Sequence, residues 1–246
     1  MTTAVVTGAS GGIGSAIARR LACDGFEVVV GYHSSAERAE QLVAELDGSG
    51  HSSRRIAVTE PASLDALAAA LATEAGSVDV LVNCAGVTRP VAHDDLDGLD
   101  DGLITEIFGT NWLGPFAVIR ALRKLLDAAP LGATVVNISS VAAITGQGSN
   151  VAYCASKAAL DSMTRSLARA LAPQIRVVSV SPGYVPGDYA ARMPAGTLEA
   201  QTAQTPLGRL AAPDDVAAAV SAVVSDLACT TGAVIPVDGG RPLGVS

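Results

Sequence analysis

Short runs of aliphatic and β-branched residues alternate along the chain with longer stretches in which apolar positions recur at helical spacing. The runs occupy residues 4–6, 28–30, 78–82, 134–138, 177–180 and 233–235, with a weaker one at 55–58. They are nearly continuous in Val and Ile, the pattern of strands covered on both faces. The helical segments between them are 12–24, 35–46, 61–76, 99–127, 150–172 and 213–227. Pro61 and Pro213 suit first helical turns, and Ser63 and Asp214 are candidate caps. Repeated strand–helix alternation implies parallel strands joined by right-handed crossovers. The expected fold is therefore α/β: a doubly wound parallel sheet of about seven strands with helices on both faces. No linker, low-complexity tract or internal repeat interrupts it, so residues 1–246 read as one domain.

Composition sharpens this. Hydrophobic types make up 49% of the 246 residues and aromatics only 3%, as Ala-rich helices packed on a Val/Ile sheet require. The mean hydropathy of +0.39 is not a membrane signal, because no run reaches the ~18 consecutive apolar residues of a spanning helix. Sixteen basic against 24 acidic side chains give a net charge of −8, which argues against nucleic acid or an anionic membrane as partner. The first strand starts almost at the N-terminus with no charged leader, and a cytoplasmic location is expected. Cys23, Cys84, Cys154 and Cys229 are widely spaced, and His33, His51 and His93 are the only histidines. They read as free thiols, mostly buried, with no metal site. The acidic cluster Asp94, Asp95, Asp97, Asp100 and Asp101 reads as a solvated loop and favourable charge before a helix starting near Leu103, with a metal site as the sharper alternative.

In doubly wound sheets ligands bind beyond the carboxyl ends of the strands, where the strand order reverses. The first strand runs directly into Gly8, Ser10, Gly11, Gly12, Ile13 and Gly14. Glycines at 8, 12 and 14 allow a tight turn, close approach of a pyrophosphate, and packing of the next helix, whose N-terminus offers N–H groups to phosphate. Residues 31–35 at the end of the second strand include Tyr32, His33 and Ser34, with no acid before Glu37. A carboxylate there would repel a 2′-phosphate, whereas Ser34, Ser35, His33 and Arg38 could hold one. NADP(H) is favoured over NAD(H).

Tyr153 and Lys157 are four residues apart in a helical segment and share one face. A phenol ordinarily titrates near ~10, and a neighbouring ammonium favours the phenolate. With the glycine loop, Asn83-Cys84-Ala85-Gly86, Asn111, Ile138-Ser139-Ser140 and Pro182-Gly183, this pair resembles the short-chain dehydrogenase/reductase family in order and spacing. The resemblance covers essentially the whole chain, including 206–209 and 237–240, and is strongest to 3-oxoacyl-[acyl-carrier-protein] reductase-like members. It implies a Rossmann-type fold and an NAD(P)H-dependent oxidoreductase exchanging hydride with a carbonyl or secondary alcohol. It further implies that Tyr153 transfers the proton, Lys157 binds the nicotinamide ribose, and Ser140 (with Ser139 as competitor) bonds the substrate oxygen. Asn111 would hold a relay water, Asn83 would support the sheet end, and Val58, Ala85, Gly86, Pro182, Gly183 and Val185 would border the cofactor. A homotetramer, or a dimer, is implied by the apolar C-terminal helix and strand.

Several positions depart from the family pattern. Gly11 stands where many NADP-using members carry Arg or Ser, Ala57 replaces an adenine-binding Asp or Asn, and Cys84 replaces a second Asn. The Thr expected four residues beyond Pro182-Gly183 is missing. Positions where carrier-protein reductases place Arg near the entrance correspond to Leu131 and Gln174, with Arg123, Lys124, Arg169 and Arg176 as possible compensation. The substrate is accordingly a small-molecule or acyl-thioester carbonyl, the rival reading being dehydrogenation of a polyol, sugar or cyclic alcohol. A silent NAD(P)-binding regulator is the other class, and it has no need of Asn111, Ser140, Tyr153 and Lys157 together. Segment 187–205 reads as a substrate lid. Val87, Ala142, Gln147, Tyr184 and Tyr189 are candidate pocket neighbours, with plain packing the other role open to each.

Overall fold

The computed structural model describes residues 2–187 and 196–243. Seven parallel strands form one sheet: β1 (Thr3–Thr7), β2 (Glu27–Tyr32), β3 (Ser52–Arg55), β4 (Val80–Asn83), β5 (Ala133–Ile138), β6 (Ile175–Pro182) and β7 (Val234–Val237), in the order β3-β2-β1-β4-β5-β6-β7. Their alternation divides the core in two. Ala4, Val6, Val28, Val30, Val82 and Val180 face α1 (Gly12–Cys23), α2 (Ala36–Glu45) and α9 (Pro213–Ser225). Val5, Val29, Leu81, Val135 and Val177 face α3 (Pro61–Glu74), α5 (Gly114–Asp127) and α7 (Val151–Leu171). Both faces are covered, which is why the strands read as unbroken apolar runs. The order reverses between β1 and β4, so the carboxyl ends of those two strands open the crevice.

Four local features differ from the expectation. The third strand ends at Arg55, not Val58: Ile56 and Val58 turn into the core beneath α3. Ser63 is not a cap; its Oγ accepts from the Ala57 N–H (3.0 Å) and donates to the Arg55 carbonyl (3.2 Å), fastening that departing strand. At α9 the capping carboxylate belongs to Asp215, which accepts from the Ala212 N–H (2.8 Å), one residue beyond Asp214. The segment 99–127 is three pieces, α4 (Asp101–Phe108), a π-helical turn (Gly109–Leu113) and α5. In addition, short helices α6 (Ala142–Thr145) and α8 (Thr197–Ala203) and a 3₁₀ turn (Arg241–Leu243) lie in segments that show no helical periodicity.

The acidic cluster serves its loop and helix. Asp100 accepts from the Leu103 N–H (2.9 Å) as the cap of α4, and Asp95 accepts from the Gly98 N–H (2.9 Å). Among the described residues no group of three His, Cys, Asp or Glu is arranged to hold a metal, and no helix is long and apolar enough to cross a membrane. The thiols are not mostly buried: Cys23, ending α1 beside Asp47, and Cys229 are exposed.

Asp215 also carries a testable electrostatic role. Arg209 grips it through both nitrogens (2.5 and 2.9 Å) and holds its carboxyl at about 2, below the ordinary 3.8. Because the folded-state value is the lower one, this contribution is complete above pH ~3.8 and disappears as pH falls toward ~2. Acid unfolding followed by circular dichroism should be steeper across that window for the native chain than for Asp215→Asn. Equal slopes would mean that the half-exposed pair contributes nothing.

Candidate active site

The ends of β1 and β4 are joined by one hydroxyl: Thr7 Oγ1 accepts from the N–H groups of Cys84 and Ala85, both at 3.1 Å. Gly8, with φ of +65°, then lies so close to Ala85 that a Cβ would fall 2.8 Å from the Ala85 Cα. This leads the chain into α1, whose cap Gly11 makes no side-chain hydrogen bond. The N–H groups of Gly12, Ile13 and Gly14 are thus left for a ligand. A Cβ on Gly12 would meet nothing within 4 Å, so the space above that turn is a cradle. The residues present fit the diphosphate of a dinucleotide.

A cavity of about 1670 Å³ extends from this cradle across the carboxyl ends of the strands. Its lining brings together the whole glycine segment (Gly8, Ser10, Gly11, Gly12, Ile13, Gly14) with Ala85 and Gly86. Ser140, Ala142, Gln147, Tyr153 and Lys157 form its far wall, and Pro182, Gly183, Tyr184 and Val185 border it from β6. Tyr32, His33, Ser34, Val58, Asn83 and Asn111 are not in that lining. His33 and Ser34 are exposed at the end of β2, while Val58 is buried beneath α3. Tyr189 lies outside the described residues, as do Met193 and Pro194 of the segment read as a lid.

The catalytic candidates sit on α7 and the end of β5. Asn150 caps α7, its Oδ1 accepting from the Tyr153 N–H (2.7 Å) while its Nδ2 donates to the Arg89 carbonyl (2.8 Å). That clamp fixes the helix that carries Tyr153 to the loop leaving β4. The sequence reading took Asn150 as the first residue of the helical segment and missed it as the cap, although Asn at such a boundary is a cap signal. The two serines separate cleanly. Ser139 is 3% exposed with its Oγ turned to the Lys157 carbonyl (3.5 Å), whereas the Ser140 side chain hydrogen-bonds Tyr153 and accepts from the Ala142 N–H (3.2 Å).

Burial pushes the Tyr153 phenol above its ordinary 10, and the hydrogen bond from Ser140 pulls it partly back. Lys157 stands on the same face of α7 as Tyr153. Its Nζ donates to the Ile138 carbonyl (2.8 Å) and lies over the Tyr153 ring, 5.8 Å from the centroid. Burial brings its own pKa down to about 8, against the upward pull of Cys84 and Asp161. Cys84, in place of the usual Asn, is pushed up to about 11 by burial, which keeps it a neutral thiol.

Asn111 stands in the π-helical turn and is 1% exposed. Its Oδ1 accepts from the Val87 N–H (2.8 Å) and its Nδ2 donates to the Val87 carbonyl (3.0 Å) and Ser156 Oγ (3.2 Å). The side chain therefore stitches the loop after β4 to α7. A Cβ on Gly86 would lie 3.3 Å from Asn111 Oδ1 and 3.8 Å from Lys157 Nζ, so the two groups flank one glycine. Such turns cluster at functional sites. Asn83 lies deeper: its Nδ2 donates to Asn137 Oδ1, Asn137 Nδ2 donates to Thr164 Oγ1, and Thr164 Oγ1 shares a hydrogen bond with Ser179 Oγ, each at 2.8 Å. This buried polar chain ties β4, β5, β6 and α7 together behind the site.

Comparison with known proteins agrees with this geometry. Residues 8–241 match the family described as enoyl-(acyl carrier protein) reductase. The chain is 39% identical over 241 residues to cis-4-hydroxycyclohexanecarboxylate dehydrogenase of Sinomonas cyclohexanicum, covering 96% of this chain and 95% of that one. It is 35% identical over 242 residues to 3-oxoacyl-[acyl-carrier-protein] reductase of Staphylococcus aureus, covering 97% of each. The crystal structure of a short-chain dehydrogenase/reductase from Burkholderia xenovorans superposes with a TM-score of 0.92 at 33% identity over 99% of both chains. The chain belongs to the short-chain dehydrogenase/reductase family and is an NAD(P)-dependent oxidoreductase acting on CH–OH and C=O groups.

Proposed function

We propose that the protein is an NADP(H)-dependent carbonyl reductase whose substrate is a free small molecule, with oxidation of the corresponding cyclic or sugar alcohol as the reverse direction. The observation that carries the reading is the convergence of Ser140, Tyr153 and Lys157 on the cavity that contains the glycine cradle. The bound cofactor supplies or accepts the hydride. Gly12, Ile13 and Gly14 N–H groups would hold its diphosphate and Lys157 its nicotinamide ribose. Ser140 stabilises charge on the substrate oxygen, and Tyr153 gives it a proton in reduction or takes one in oxidation. Asn111 holds the wall beside Lys157.

Free substrate is favoured over carrier delivery by the net charge of −8 and by the fate of two of the basic residues. Leu131 and Gln174 do not border the entrance as the resemblance implied: they lie just before β5 and β6, at the ends of those strands opposite the cavity. Arg176 cannot compensate, because its guanidinium is committed to the carbonyls of Val223, Leu227 and Thr230 and to Thr134 Oγ1. Arg123 is paired with Asp127 at 2.8 Å. For the cofactor, the end of β2 offers exposed His33 and Ser34, and the nearby Glu60 is neutralised by a two-pronged pair with Arg55 (2.7 and 2.8 Å). Edge strand β7 is half-buried and Leu243 is 87% exposed, which supports assembly into a homotetramer through the C-terminal face. Free thiols suit a cytoplasmic location.

A turnover screen with NADPH and NADH against free ketones, sugars and 3-oxoacyl thioesters tests this. The expected result is a lower KM for NADPH and turnover of free ketones. Turnover confined to carrier-bound thioesters, or a clear NADH preference, would remove the corresponding half of the proposal.

A further inference from the structure

The cavity that holds Ser140 and Tyr153 also has a cation in its lining, Arg241. The chain after β7 folds back against the end of β6: the Gly183 N–H donates to the Val237 carbonyl (2.9 Å), and a Cβ on Gly183 would fall 2.9 Å from the Asp238 Cα. Gly239 and Gly240 then reverse the chain, and the Arg241 N–H returns to the Asp238 carbonyl (3.3 Å). Arg241 is thereby one short turn from the Pro182–Gly183 border of the cavity, and it faces α8. Its Nη1 donates to the Gln201 carbonyl (3.2 Å) and its Nη2 to Gln204 Oε1 (3.0 Å); all three residues line the cavity.

The charges in that lining are one-sided. On a chain of net charge −8, the Lys and Arg side chains of the lining are Lys157 and Arg241, and no Asp or Glu contributes to it among the described residues. Arg54, Arg55 and Arg209 are each held by a carboxylate through two contacts. Among the described residues, Arg241 meets a carbonyl and a neutral amide. The Gln201 carbonyl keeps the guanidinium aimed, while the Gln204 amide is an exchangeable partner that an anion would outcompete with a charge-assisted bond.

We propose that Arg241 determines specificity by receiving the carboxylate of an oxo acid whose ketone stands at Tyr153, or of the matching hydroxy acid in oxidation. The inference rests on the oxidoreductase reading above and names its substrate class. The carboxylate replaces Gln204 on Nη2, so binding of the acid also engages α8.

The test compares linear oxo acids of increasing length (4-oxopentanoate, 5-oxohexanoate, 6-oxoheptanoate) with their methyl esters in the native enzyme, Arg241→Gln and Arg241→Lys. At the best length, kcat/KM should favour acid over ester by at least about tenfold, the worth of one charge-assisted hydrogen bond. That ratio should collapse toward one in Arg241→Gln and recover in part in Arg241→Lys. Hexanoate should inhibit ester reduction by the native enzyme more strongly than by Arg241→Gln. If acid and ester activity fall together in Arg241→Gln, the residue merely clamps α8 and the inference is overturned. Ester turnover without acid preference in the native enzyme overturns it alone, whereas no turnover of any ketone overturns the oxidoreductase reading as well. Arg241-dependent preference for a coenzyme A thioester over its N-acetylcysteamine counterpart, without preference among the acids, would assign the anion to a carrier-arm phosphate and overturn the carboxylate assignment.

Discussion

Tyr153→Phe is expected to lower kcat by about 10²–10⁴-fold, the usual worth of a positioned general acid, with dinucleotide affinity retained. The phenol oxygen is the only group the substitution removes, and the ring that packs under Lys157 stays. Stopped-flow turnover and fluorescence titration with NADPH separate the two quantities. The pH profile supplies the sign. Burial raises the Tyr153 pKa, so in reduction, where the phenol acts, the rate holds up to that value and falls above it. In oxidation the phenolate acts, and the rate climbs as pH rises toward it. Both limbs should vanish in Tyr153→Phe. Retention of more than a tenth of native kcat would take the proton-transfer role from this residue.

The sequence made the sheet legible because parallel strands covered on both faces leave near-continuous Val and Ile runs, and these survive as β1, β2, β4, β5, β6 and β7. The strand that blurred was β3, where Ser52 to Arg55 are polar and the apolar Ile56 and Val58 serve the core after leaving the sheet. At the site, helical spacing sufficed to put Tyr153 and Lys157 on one face. It could not show that the Lys157 ammonium bonds the Ile138 carbonyl, since that contact spans 19 residues. Nor could it show the π-helical turn at Asn111, because apolar periodicity runs through α4 and α5 with only a one-residue slip. Arg241 was illegible for another reason: only folding brings the C-terminal turn against Gly183 and α8.

The glycine loop offers the second large effect, because two of its glycines serve different masters. A Cβ on Gly14 would run into the Gly8 carbonyl and lie 2.8 Å from the Ala9 Cα, all backbone that cannot step aside. Gly14→Ala should therefore cost about 1–3 kcal/mol of stability, a drop of about 2–12 °C in Tm for a chain of this size. Gly12 is the opposite case, with nothing within 4 Å of its added Cβ. The fold gains or loses little from Gly12→Ala, since Ala in a helix is favoured over Gly by at most about 0.5–1 kcal/mol. If the open space is the seat of the cofactor diphosphate, the same methyl must crowd the ligand, weakening dinucleotide binding by about 10- to 100-fold. Differential scanning fluorimetry with and without NADPH reads both quantities on both variants. The expected outcome is an unliganded Tm lowered in Gly14→Ala and kept in Gly12→Ala, with the NADPH-induced rise in Tm largely lost in Gly12→Ala. A Gly12→Ala chain that binds NADPH as the native one does would place the diphosphate elsewhere, because no other demand of the fold explains a glycine at that position.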